Sequence, residues 1–369
     1  EVFGTPDEPR VPGGLEDLLD AELLQSAAGV VRSEDEGEVS LGLYRRHCAV
    51  CHGITGDGAG PAALYQFPYP RALRDGVFKY KSTYRNAPPT EEDLARTLRA
   101  GMPGAAMPSF RLLPEHEVAA LVQYVKYLAI RGTLERELIE HVSEEFGDEF
   151  IDGDDDSTPR FDWQDDETRS LVREELLPPI ATRWREANAR IVEASGGLPQ
   201  DGDQLAAWVD EGRLLFHDQK RANCVKCHGR EGQGSVALNE YDDWNKVRQD
   251  FQLETERLQE SVESLRERIT REGGAELLEE NLQDYQRELI ERERVEEVWA
   301  PPRQAVARTL QAGVLHGSSA PEDLFRRIHQ GIAGTPMPGV GAATPQGEGA
   351  LSDEEIWKLV AYVQSLLAE

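Results

Sequence analysis

The segment Cys48-Ala49-Val50-Cys51-His52 recurs later in the chain as Cys224-Val225-Lys226-Cys227-His228. Two thiols three positions apart can form thioethers with the two vinyl groups of one porphyrin. The histidine that follows is then held beneath the ring, where a nitrogen can bind iron. All four cysteines of the chain fall in these two copies, so none is left over. Zinc sites and redox dithiols also use C-x-x-C, but neither calls for a histidine directly after both pairs. The spacing therefore predicts two covalently bound haem c groups, attached at Cys48 and Cys51 and at Cys224 and Cys227. His52 and His228 are the expected iron ligands.

Other elements must hold these ligands in place. Leu43 and Tyr44, in a helical pattern read from Glu38, lead into Cys48; Leu205, Trp208, Val209, Leu214, Leu215 and Phe216 lead into Cys224 in the same way. A glycine-rich loop follows each histidine, running to Pro61 in the first copy and through Gly234 in the second. Farther on come Met107-Pro108 and Met337-Pro338, and each is followed by an amphipathic helix, Glu115–Ile130 and Asp353–Leu367. The three methionines of the chain all stand in Met-Pro dipeptides.

Taken together, C-x-x-C-H, the glycine loop, Met-Pro and the closing helix resemble a small class I cytochrome c domain, present twice. The resemblance covers roughly half the chain. It implies a mainly α fold with Met107 and Met337 as distal iron ligands, Met102 being the competitor in the first copy. It also implies that the carbonyl of Pro61 accepts the Nδ1–H of His52, as an outer partner that fixes the ring. The second loop has no proline at the matching place, which leaves the partner of His228 open.

The expected organisation is an N-terminal arm (1–37), a first haem domain (38–131), a connector (132–199) and a second haem domain (200–369). Arg71, Lys79 or Lys81 in the first domain, and Trp244 and Arg303 in the second, are candidates to meet haem propionates. His116, His217, His316 and His329 read as surface or structural groups. In the connector, Glu135–Glu149 reads as a separate helix, 152–157 as an acidic solvated loop, and Pro178-Pro179 as a helix break. The ligand spacing differs between the copies: 55 positions from His52 to Met107, but 109 from His228 to Met337. The excess of 54 nearly equals the 52 residues of the charged stretch 247–298. Apolar residues there recur at three- and four-residue steps on each side of Gly273-Gly274, so this insertion should be an antiparallel helical hairpin projecting from the second domain. The pattern fits an arm for a partner, for a second copy of the chain, or for its own protein.

Composition narrows the function. The chain of 369 residues carries a net charge of −29, which disfavours nucleic acid and anionic membrane surfaces and favours a redox protein with a basic docking surface. No apolar run approaches the ~20 residues that span a bilayer. Haem c is attached outside the cytoplasm, and the chain begins abruptly at Glu1-Val2-Phe3, so a periplasmic or otherwise exported protein that has lost its leader is expected. Two irons each held by histidine and methionine leave no open coordination position. The sequence thus reads as an electron-transfer protein and not an enzyme, acting as a soluble carrier or as a subunit of a respiratory or dehydrogenase complex. A dihaem peroxidase-like enzyme shares the two C-x-x-C-H motifs but needs an open or displaceable distal site, against which both Met-Pro motifs argue.

Overall fold

The structure is a computed structural model, and it describes residues 2–32, 39–146, 166–234, 237–272, 276–298, 300–311 and 313–368. It is mainly helical, with two small antiparallel pairs of strands: β1 (Val30–Arg32) with β2 (Val39–Leu41), and β3 (Ala237–Tyr241) with β4 (Gln304–Val306). The acidic loop 152–157 and the Gly273-Gly274 turn lie outside the described residues.

The N-terminal half has one core. Helix α1 (Ala21–Ala27) begins at Asp20, whose carboxylate accepts the amides of Glu22 and Leu23. The helical run into the first C-x-x-C-H motif is shorter than its apolar pattern implied: β2 occupies 39–41, then come α2 (Leu43–His47) and the single turn α3 (Ala49–His52). Helix α4 (Glu91–Ala100) opens with a capping box between Thr90 and Asp93. Helix α5 (Glu115–Phe146) crosses behind the haem-motif helix, with the rings of Tyr44 and Tyr124 4.8 Å apart. The arm lies on α5, where the hydroxyls of Tyr127 and Tyr124 donate to the carbonyls of Phe3 and Pro6 at 2.7 and 2.8 Å.

The connector differs from its expected form in two ways. Helix α5 does not stop near residue 131 but runs unbroken through Gly132, 32 residues in all. A side chain at Gly132 would strike the backbone of Arg74, so this glycine permits a close approach instead of ending the helix. Helix α6 (Asp166–Ser170), a π-type segment (Leu171–Leu176) and α7 (Leu177–Arg185) also run on without a break. Pro178 and Pro179 follow directly on the π-type turn, where Leu177 N bonds to Val172 O, and this wider register takes up the break in i→i−4 bonding that the prolines impose. Val172, Leu177, Ile180 and Trp184 are buried in the N-terminal core, so this stretch is part of that half.

The C-terminal half has its own core. Helix α8 (Gly202–His217) runs toward the short α9 (Val225–His228), and α12 (Pro321–Gln330) precedes the second Met-Pro loop. Helix α13 (Asp353–Leu367) packs across α8, the rings of Phe216 and Tyr362 lying 5.3 Å apart. The expected hairpin is formed by α10 (Asp243–Glu272) and α11 (Glu276–Val298). Arg292 of α11 lies over Phe251 of α10 and pairs with Glu254 at 3.3 Å, as antiparallel arms require.

Helix α13 starts at a capping box in which Ser352 Oγ and the Glu355 amide, and Glu355 Oε2 and the Ser352 amide, exchange hydrogen bonds. Arg221 grips the same carboxylate at 2.7 and 2.8 Å. These partners, Arg221 first, hold the Glu355 pKa down at about 2. A carboxylate depressed on folding stabilises the native state above its unfolded pKa, and that contribution fades as pH falls toward the folded value. Glu355 is half-buried at the surface, where solvent screens the pair and holds the effect to the order of 0.5–1 kcal/mol. Urea unfolding should show Glu355→Gln less stable than the parent at pH 6, with the difference gone near pH 2. A gap that is the same at both values would rule this origin out.

Candidate functional site

The two C-x-x-C-H segments fold alike. Cys51 and Cys227 donate their amides to the carbonyls of Cys48 and Cys224 at 3.1 and 3.2 Å, so each pair of thiols lies on one helical turn. The following loops close identically: Gly58 N donates to His52 O and Gly234 N to His228 O, both at 2.9 Å. The next anchor is also repeated. Leu73 N donates to Gly56 O at 2.6 Å and Leu310 N to Gly232 O at 2.7 Å.

That second anchor identifies the partner of each histidine. His52 Nδ1 lies 2.8 Å from the carbonyl of Arg71, not of Pro61, which is exposed. The reason is geometric. Leucine 73 is tied to the glycine loop, and this swings the carbonyl two residues earlier under the imidazole. In the other half, His228 Nδ1 faces the carbonyl of Arg308 at 3.4 Å. Burial lowers the pKa of both histidines, with the carbonyl opposing it, so the rings are neutral with Nδ1–H directed at the carbonyl and Nε2 bare. A signal for this was present in the sequence: Arg71-Ala72-Leu73-Arg74-Asp75-Gly76 is matched by Arg308-Thr309-Leu310-Gln311-Ala312-Gly313. The two arginines lie 19 and 80 positions after their histidines, which hides the match.

The Met-Pro loops also repeat. Helices α4 and α12 end at Gly101 and Gly331, both with φ +67°. Met102 N then donates to Met107 O at 3.0 Å, and Ile332 N to Met337 O at 3.2 Å. Phe110 N and Val340 N return to Leu98 O and Ile328 O. Met107 is thus the counterpart of Met337, and Met102 stands where the C-terminal half has Ile332.

The candidate propionate partners lie at the seam between the halves. Arg71 sits 4.9 Å over the ring of Trp244, and its Nη2 is shut off from solvent with no hydrogen-bond partner. Lys79 pairs with Asp242 at 3.4 Å, and burial pushes its pKa down to about 8. Lys81 turns inward onto the carbonyls of Tyr84, Arg85 and Ala87. Trp244 and Arg303 were expected beside the second site, but both pack on the N-terminal half. Trp244 abuts Gly58 and Arg71. Arg303 stacks 3.9 Å over Tyr69 and donates to the carbonyls of Gln66 and Leu64. The hairpin root is therefore clasped by residues 64–69 of the N-terminal half, and the insertion does not simply project from the C-terminal one. Arg85 completes the seam, donating to Met337 O at 3.0 Å and Thr335 O at 3.1 Å.

The donor set fits a covalent porphyrin. None of the four cysteines is taken up in a disulfide, so each pair is available to the vinyl groups of a porphyrin. Among the described residues no three His, Cys, Asp or Glu side chains converge as a bare metal ion would need. Two thiols and an imidazole spread along one turn suit a flat macrocycle bonded at its edge and ligated at its centre. The orphaned Nη2 of Arg71 is a donor suited to a carboxylate. A cavity of about 870 Å³ between α5, α7 and the second Met-Pro loop, lined by Phe78, Trp184 and Gly334, includes neither the cysteines nor the two motif histidines.

Residues 39–125 match the family model described as cytochrome c oxidase, cbb3-type, subunit III. The chain carries a c-type cytochrome domain. Such a domain binds haem c covalently and serves haem-based electron transfer. Among solved structures, the chain is similar to one from the Kuenenia stuttgartiensis reducing HAO-like protein complex Kustc0457/Kustc0458. The identity is 21%, the TM-score 0.50, and the match covers 88% of this chain and 93% of that one. No curated protein matches the chain. Among the described residues, no helix is long and apolar enough to cross a membrane.

Proposed function

We propose that the protein is a dihaem c-type cytochrome that passes single electrons through two His/Met-ligated haems. The observation that carries this reading is the repetition of one backbone hydrogen-bond pattern around both C-x-x-C-H motifs and both Met-Pro loops. In the first site Cys48 and Cys51 hold the haem, His52 is the proximal ligand and Met107 the distal one. In the second, Cys224, Cys227, His228 and Met337 take the same roles. When bound, haem c supplies one-electron exchange between Fe(II) and Fe(III). The protein's part is to keep each imidazole oriented through Arg71 O and Arg308 O, to present a thioether on the other face, and to place cations near the propionates. Arg71 and Lys79 are the candidates for that last task.

A redox partner with a basic surface suits the acidic chain, and attachment of haem c calls for an exported location. The solved structure it resembles comes from a protein complex, which supports a role as a subunit beside that of a free carrier. The α10–α11 hairpin is the candidate assembly contact.

The test is the haem content and spectrum of the purified oxidised protein. Two haems per chain, both low-spin and showing the weak red-edge methionine–iron band, are expected, with no reaction toward cyanide or peroxide. One haem per chain, or a high-spin fraction that binds cyanide at once, overturns the reading for that site.

A further inference from the structure

The two arginines that orient the proximal histidines each have a second end. The backbone carbonyl of Arg71 faces His52 in its own half, while its guanidinium reaches the Met-Pro loop of the other half. A methyl group built on Gly334, three residues before Met337, would lie 2.8 Å from Arg71 Nη1. Arg308 does the reverse. Its carbonyl faces His228, and its Nη2 crowds Gly104, three residues before Met107. Both glycines adopt a positive φ, +70° at Gly104 and +69° at Gly334. The arrangement is reciprocal, as an approximate two-fold relation between the halves would produce.

The charges are not used up by neighbours. Among the described residues, neither Arg71 nor Arg308 pairs directly with a carboxylate within 4.0 Å, although Asp242, Asp75 and Asp243 act on Arg71 from farther off. Arg308 donates to Val314 O at 2.9 Å and to His316 Nε2 at 2.8 Å, both neutral acceptors. Arg71 stacks on Trp244 with one nitrogen unpartnered. Arg71 is thus held at the seam without a direct counter-ion, a costly placement for a guanidinium with one nitrogen shut off from solvent, while Arg308 stands half-buried on the other side.

We infer that Arg71 and Arg308 are crossed positioning residues, each setting through its side chain the reduction potential of the haem in the opposite half. This rests on the dihaem reading above. A fixed cation near a haem favours Fe(II), which carries one positive charge fewer than Fe(III), and a seam of low dielectric strengthens the effect over that in water. The backbone carbonyl of the same residue acts on its own half, by orienting the imidazole and raising its basicity. Main chain and side chain of each arginine thus serve different haems, and the two sites are coupled across the seam.

Side-chain substitution separates the two roles because it leaves the carbonyl in place. Arg308→Gln should lower the potential of the haem ligated by Met107, by about tenfold in the Fe(II)/Fe(III) ratio, or about 59 mV. The haem ligated by Met337 should shift less. Arg71→Gln should show the opposite preference, and Arg308→Lys, which keeps the charge, should recover most of the loss. Potentiometric titration followed by NMR of the haem methyl signals reads each haem separately, with signals assigned through Met107→Leu and Met337→Leu. The two arginine variants are independent, so misfolding of one leaves the other to decide. Haem content and low-spin spectra of the parent protein check the dihaem reading beforehand, so its failure is seen separately. With two low-spin haems present, a shift confined to the arginine's own half, or equal shifts in both haems, overturns the crossed assignment.

Discussion

Replacing Met107 by leucine should abolish methionine ligation at one haem of the two, whereas Met102→Leu should leave the spectrum of both intact. The two residues are five positions apart and both precede proline, so composition does not separate them. The backbone register does. Met107 O accepts from Met102 N as Met337 O accepts from Ile332 N, and isoleucine has no atom to offer iron. A role for Met102 would require the two halves to use different positions of the same loop. Thioether sulfur favours Fe(II), so its loss should also drop that haem's potential by well over tenfold in the Fe(II)/Fe(III) ratio. Oxidised spectra in the red-edge region, with haem-by-haem potentials, give the answer. Persistence of the full band in Met107→Leu, or its halving in Met102→Leu, would reverse the assignment.

The C-x-x-C-H and Met-Pro segments were legible because the chemistry they offer is local. Two thiols and an imidazole must share one turn, and Met-Pro loops must end a helix and turn back. These demands leave signatures a few residues long. The hairpin was legible for a related reason, since three- and four-residue apolar steps over 52 residues have few alternatives. What escaped was set by contacts between distant segments. The acceptor for His52 is a backbone carbonyl, which any residue supplies, so no side chain at position 71 announces it. Its one clue, the repeated Arg-x-Leu-x-x-Gly, is set far from its histidine in the second half by the inserted hairpin. Gly132 and Pro178-Pro179 carry stop signals that are genuine as propensities. Close packing on Arg74 overrides the first, and the π-type turn just before the prolines absorbs the second. Trp244 and Arg303 pack against the N-terminal half, which their place in the sequence does not foretell, because the insertion folds its root back onto residues 64–69.

The second large effect is expected at Gly212, in the middle of α8. Helix propensity alone predicts that Gly212→Ala stabilises the protein, by up to about 1 kcal/mol. The crossing with α13 predicts the reverse. An added methyl group would strike the carbonyl of Lys358, lie 2.6 Å from its carbonyl carbon and meet Tyr362 Cβ at 3.0 Å. The first two are backbone atoms of a helix, which cannot rotate away as a side chain would, so α8 and α13 must move apart. Overpacking of this kind costs about 1–3 kcal/mol, more than the propensity gain, and Gly212→Val adds bulk and forfeits that gain. The damage should reach the haem site, because Phe216, one turn on, lies between Tyr362 at 5.3 Å and His228 at 6.4 Å. Urea unfolding followed through the Met337–haem band should therefore show Val worse than Ala and Ala worse than the parent, while the Met107–haem signal moves little. If alanine proves neutral or stabilising, the two helices are farther apart at Gly212 than the structure places them, and Phe216 is not held against His228 by this crossing.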